Sequence, residues 1–197
     1  MPRRKPLFAL NSCLEVGSVG VEIMRLATLV FTVVGALCVY PAIAQTWFEF
    51  VETEELFSVN FPHAPAVEEF TYHSGYHAEL PGKKYTAADT QADYSVTVVN
   101  FSPTQLTGQR AAWDLRGSVA HAAWEIRQRG GEITHDDWVQ IDRIDGHQLQ
   151  MINLDQTSSY IQIHWHGTRL FIVEARAAPG ATPPIHFQQS LSILDEN

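Results

Sequence analysis

One stretch does most to limit what this chain can fold into: between Gly108 and Arg129 the apolar residues recur at helical spacing. Ala112, Leu115, Val119, Ala122 and Ile126 fall on one stripe, and Trp113 and Trp124 beside them are expected to complete a core. Gly130-Gly131 stops this helix, and Arg127 and Arg129 in its last turn suit the negative end of the helix dipole. Short segments with the period of a strand surround it. Trp47–Val51, Phe57–Phe61, Val67–Tyr72, Lys84–Thr90 and Tyr94–Phe101 come before it. Trp138–Ile144, Gln148–Leu154, Ser159–His166 and Arg169–Ala177 come after it as a meander. Asp145-Gly146 reads as the hairpin turn between the first two of these. Leu170, Phe171, Ile172 and Val173 are all apolar, as in a central strand covered on both faces. Pro183-Pro184 then starts a short terminal helix with Phe187 and Leu191 facing inward. Hairpin links make the sheet largely antiparallel, and the helices must cover its apolar faces, which is an α+β class.

The front of the chain follows a different logic. Arg25 precedes about 14 apolar residues, Leu26–Val39; Pro41 breaks the run, and Ala42-Ile43-Ala44 has the small-x-small form of a signal-peptidase site. A membrane span needs about 20 apolar residues. The expectation is therefore a signal peptide over 24–44, cleaved near Ala44, and no stable membrane anchor afterwards. Leu37 is too large to precede a lipidated Cys38, which counts against a lipoprotein. Residues 1–23 read as a non-structured leader, or as upstream sequence if translation starts at Met24. The remainder, 45–197, contains no linker, repeat or low-complexity tract and reads as one domain destined for the periplasm or the medium.

Composition narrows the function. Nine basic and twenty acidic residues lie from Gln45 onward, a net charge of −11 with histidine neutral. Such a surface repels phosphate backbones, and no basic run compensates, so nucleic acid is not an expected partner. Both cysteines, Cys13 and Cys38, precede Gln45, which excludes thiol chemistry and disulfides from the exported part. The chain has no G-x-S-x-G, H-E-x-x-H, G-x-x-x-x-G-K-[ST] or G-x-G-x-x-G motif.

Three local patterns, Phe57-Ser58-Val59-Asn60-Phe61-Pro62, Gly167-Thr168-Arg169-Leu170-Phe171-Ile172 and Phe187-Gln188-Gln189-Ser190-Leu191-Ser192-Ile193, occur in this order of elements. The chain thereby resembles the PsbP/Mog1-like fold group of small exported proteins. The resemblance implies an antiparallel sheet sandwiched between helices, an α/β/α arrangement. The better-known members of the group act by binding other proteins. No functional residues carry over, because the matching motifs are strand edges and helix packing.

Two constellations offer sites. His164 and His166 are two apart on a strand and share a face, as two ligands of one metal ion would, with His147 or Glu174 as candidates for a third. The simpler expectation is two solvent-facing histidines at a sheet rim. The stretch Pro62–Gly82 reads as loop-rich, and Phe70, Tyr72 and Tyr76 in it form a candidate partner-binding surface, since aromatics often anchor interfaces. His63, His73 and His77 in the same stretch fit no metal spacing. Asp136-Asp137 and Glu52, Glu54 and Glu55 read as solvated surface charge. The leading expectation is a non-enzymatic exported domain that binds another protein and needs no cofactor. A histidine-based metal-binding protein and a hydrolase with an unrecognised site are the alternatives.

Overall fold

The computed structural model describes residues 47–104 and 108–195, with the side chains of 108–113 and of Leu115 left aside. The expected signal peptide, the 1–23 leader and the Trp113 side chain lie outside the described residues. Strands run over Phe48–Glu52 (β1), Phe57–Phe61 (β2), Ala66–His73 (β3), Glu79–Ala88 (β4) and Ala92–Asn100 (β5). A helix, Gly108–Arg127 (α1), follows. Then come Glu132–Ile141 (β6), Ile144–Ile152 (β7), Ser158–His166 (β8) and Arg169–Ala177 (β9). A five-residue helix, Ile185–Gln189 (α2), and a two-residue strand, Ser192–Ile193 (β10), close the chain.

Seven strands form one antiparallel sheet in the order β3-β4-β5-β9-β8-β7-β6. β9, with its unbroken apolar run, is the middle strand. The reason lies in its two faces. Phe171 and Val173 bury into a core shared with β1, β2, β10 and α2, while Leu170 and Ile172 meet the core under α1. The expected α+β class is therefore the observed one. The second cover is not a helix alone, however: a small sheet of order β1-β2-β10 forms most of it, with α2 alongside.

Each cover is built from what its sequence offers. In β2, Phe57, Val59 and Phe61 are fully buried on alternate positions. Their rings join a cluster in which Phe187 lies 5.2 Å from Phe61 and 5.1 Å from Tyr94, and Tyr85 lies 5.1 Å from Phe57. On the opposite face Val119, Ala122, Ala123 and Ile126 of α1 are buried, and the two alanines let the helix backbone approach the sheet closely. Gly130 and Gly131 end α1 with positive φ of 81° and 109°. A Cβ at Gly131 would stand 2.4 Å from the Ile152 carbonyl oxygen, so only glycine fits there.

Four expectations need correction. Trp124 does not complete the core: it is 53% exposed and stacks on His121 with ring centroids 5.8 Å apart. The Pro62–Gly82 stretch is less loop-rich than expected: the expected strand Val67–Tyr72 extends over Ala66–His73, and its partner β4 already begins at Glu79 rather than at Lys84. The β6–β7 turn falls at Asp142-Arg143, both at positive φ (49° and 69°), and Asp145-Gly146 lies inside β7. The glycine there serves another purpose: the His164 ring occupies the space of its missing side chain, with Nδ1 2.2 Å from where a Cβ would be. Finally, Asp136 and Glu55 are not freely solvated. Glu55 pairs with Lys83 at 2.9 Å and with Arg169 at 3.4 Å, and Asp136 pairs with Arg127 at 2.8 Å. Among the described residues, no helix is long and apolar enough to cross a membrane.

Candidate functional site

Antiparallel pairing places directly opposed residues on one face of the sheet. Trp138, His147, Ile163 and Ile172 therefore form a row across β6, β7, β8 and β9 on the α1 side. His164 opposes Gly146 and Phe171 on the other side. This separates the residues proposed for a metal. His147 and Glu174 lie on the α1 face, with Glu174 opposite Ile161, so neither can join His164. Each is also occupied: His147 bonds Asp136, and Glu174 accepts two hydrogen bonds from Arg129 and one from Ser159. His166 lies 2.9 Å from Asp195. Among the described residues no group of three or more histidines and carboxylates is placed to hold a metal ion.

His164 is not a rim residue at all but is completely buried. Neither ring nitrogen has a partner at hydrogen-bond geometry. Burial drives its pKa down to about 4, opposed only weakly by the nearby backbone of Ile144 and Asp145. The ring is a neutral core residue packed over Gly146.

Of the three aromatics expected to anchor a partner, two hold the β3–β4 hairpin in place. Phe70 lies across Gly82 of the neighbouring strand, where a Cβ would stand 2.6 Å from the ring. Tyr72 packs against the core under α1, and its hydroxyl donates to Glu125 at 3.1 Å. Burial, with the Glu125 charge and hydrogen bond added, raises its pKa. Tyr76, at the hairpin tip, is 60% exposed, but its hydroxyl sits over Gly117 of α1. Phe70 and Tyr72 line one concavity together with Glu125 and Ile126 of α1.

A different concavity has the better construction. Between α1 and the end of the sheet that carries the β6–β7 turn, a groove of about 700 Å³ is lined by Arg116, Val119, Trp138, Arg143, Trp165 and His166, with Asp142 and Asp145 along the turn. Trp138 is 48% exposed, and the Arg116 guanidinium carbon lies 5.2 Å from the ring centroid, a cation–π distance. From the opposite side His147 meets Trp138 edge-on at 5.0 Å. His147 Nε2 lies 2.6 Å from Asp136 Oδ1, and Arg127 donates to both Asp136 oxygens at 2.8 Å. Burial works against ionisation of Asp136, but hydrogen bonds from Arg127 and His147 outweigh it and hold its carboxyl below the ordinary range. Two arginines of α1 thus fix one tryptophan of an edge strand, Arg116 directly and Arg127 through Asp136 and His147. On the groove floor Trp165 is almost fully buried, donates from Nε1 to the Gly167 carbonyl at 2.8 Å, and meets Phe101 edge-on.

Neither Arg116 nor Trp138 stood out in the sequence. They are 22 positions apart, on a helix and a strand, and only the crossing of α1 over β7 and β8 brings the groove together. One signal was available: arginine is scarce in so acidic a chain, so each one merits an account of its partner.

No family model matches the sequence, and no curated protein matches it. Among solved structures, the chain is similar to the solution structure of cyanobacterial PsbP (CyanoP) from Synechocystis sp. PCC 6803, with 9% identity, 78% of this chain and 95% of that chain covered, and a TM-score of 0.49.

Proposed function

We propose that this chain is a non-enzymatic exported binding domain that holds another protein in the groove between α1 and the β6–β7 turn. The observation that carries the reading is Trp138: half exposed, yet fixed on one side by Arg116 and on the other by His147. Tryptophan and arginine dominate binding energy at protein interfaces, and a ring already held in place loses little entropy on docking. The test is co-purification of the tagged protein with its extracytoplasmic partner, wild type against Trp138→Ala. Affinity should fall by about thirtyfold or more, the effect of about 2 kcal/mol at a hot spot. Equal recovery by the two proteins overturns the groove as the docking surface. Export rests on Leu26–Val39 and the Ala42-Ile43-Ala44 site. N-terminal sequencing of the mature protein should begin at Gln45, and a retained apolar run would overturn it.

A further inference from the structure

The charges around the groove say what kind of segment it takes, given the docking surface proposed above. In an acidic domain nearly every cation is expected to find a carboxylate, and most do. Of the basic side chains described from Gln45 onward, Lys83, Arg127, Arg129, Arg169 and Arg176 each sit in an ion pair. Lys84, Arg116 and Arg143 do not, among the described residues. Two of these three, Arg116 and Arg143, line the same groove as Trp138. Asp142 and Asp145 border it too, but neither comes within ion-pair distance of either guanidinium; Asp145 instead accepts a hydrogen bond from Gln140 at 2.7 Å. His166, the remaining ionisable group there, is turned to Asp195.

Arg143 forms the β6–β7 turn together with Asp142. It holds φ 69° at the second position of a two-residue turn, where glycine or asparagine would fit without strain.

We infer that the groove recognises an extended acidic segment of a partner protein, with a carboxylate on Arg116 and Arg143 and a neighbouring apolar side chain against Trp138 and Trp165. Guanidinium and carboxylate match as planar, two-pronged partners, and unpaired donors of this kind gain most from a carboxylate that arrives with its own desolvating apolar neighbour. The domain's overall negative charge opposes long-range attraction of such a segment, so the recognition acts at contact distance. Salt screens both the repulsion and the pair, which makes substitution a cleaner probe than ionic strength.

The experiment uses the mature protein and three octapeptides: one alternating leucine and glutamate, and counterparts with glutamine or lysine replacing glutamate. Affinity is measured by calorimetry, and the Trp138 indole N–H resonance reports the place of binding. The acidic peptide should bind and shift that resonance, and the glutamine and lysine peptides should bind at least about tenfold more weakly. Arg116→Gln with Arg143→Gln should remove that preference. Arg143→Gly should weaken acidic-peptide binding while raising the denaturation midpoint, because it relieves the turn. That pairing distinguishes a lost contact from a lost fold. Absence of binding by the acidic peptide, equal binding of the glutamine peptide, or full affinity in the double Gln variant overturns the inference. If the co-purified partner still depends on Trp138 in any of those cases, the docking surface stands and only its preference for acid falls.

Discussion

Phe187→Ala should lower the stability of the domain by about 3–5 kcal/mol, the range for emptying a fully buried aromatic site. Phe187 is 0% exposed, and its ring lies 5.2 Å from Phe61, 5.1 Å from Tyr94 and 6.5 Å from Trp47. It is also the main anchor of α2, which at five residues cannot persist as an isolated helix. Losing the ring therefore frees α2, and with it the β10 pairing of Ser192 and Ile193 to β2. The melting temperature should fall on the order of 10 °C, and Phe187→Leu, which fills most of the volume, should cost less than about 1.5 kcal/mol. Denaturant titration of the three proteins checks this. A Phe187→Ala loss below about 1 kcal/mol would mean that the outer layer holds together without this ring.

Acid should weaken the fold through His164. The folded-state pKa of this buried imidazole is about 4 against an ordinary 6.5. Between those two values the unfolded chain binds a proton that the folded chain refuses, so stability falls as pH falls. The contribution is fully present above about pH 6.5. It declines from there down to about pH 4, by about 3 kcal/mol in all, and is flat below. Asp136, also held below its ordinary pKa, loses its contribution in the same direction at lower pH. His164→Leu removes the titrating ring while keeping an apolar side chain over Gly146. Its unfolding free energy should change with pH by correspondingly less than the wild type's across pH 6.5 to 4. Parallel curves for the two proteins would show that the buried ring takes up its proton without cost to the fold.

How much of the candidate site was legible follows from how its members act. His164-Trp165-His166 drew notice as a local pattern, and alternation on a strand correctly puts both histidines on one side. Which side is buried depends on the neighbours across the sheet, and Gly146 under the imidazole is a contact between β7 and β8 that no spacing within β8 announces. The same holds for Phe70 over Gly82, where an aromatic that reads as an exposed anchor instead covers the glycine of the next strand. Asp145-Gly146 misled for this reason too. An Asp-Gly pair between alternating segments carries the chemistry of a turn, but here the glycine is needed for a close ring contact, and the chain turns three residues earlier on strained Asp142 and Arg143.

Local sequence determined the element types. Period-two patterns, the single helical stripe of α1, the Gly130-Gly131 stop and the apolar run of β9 act within one segment, through backbone conformation and one-sided burial, so they are readable there. Antiparallel pairing of consecutive strands followed from short connections, whereas β5 beside β9 and β10 beside β2 did not. Tertiary structure alone decided which face each side chain occupies relative to its neighbours, that α1 covers β7 and β8, and that Arg116 meets Trp138. These depend on register between strands and on the crossing of a helix over a sheet, which join residues far apart in sequence through contacts that leave no periodic trace in either partner.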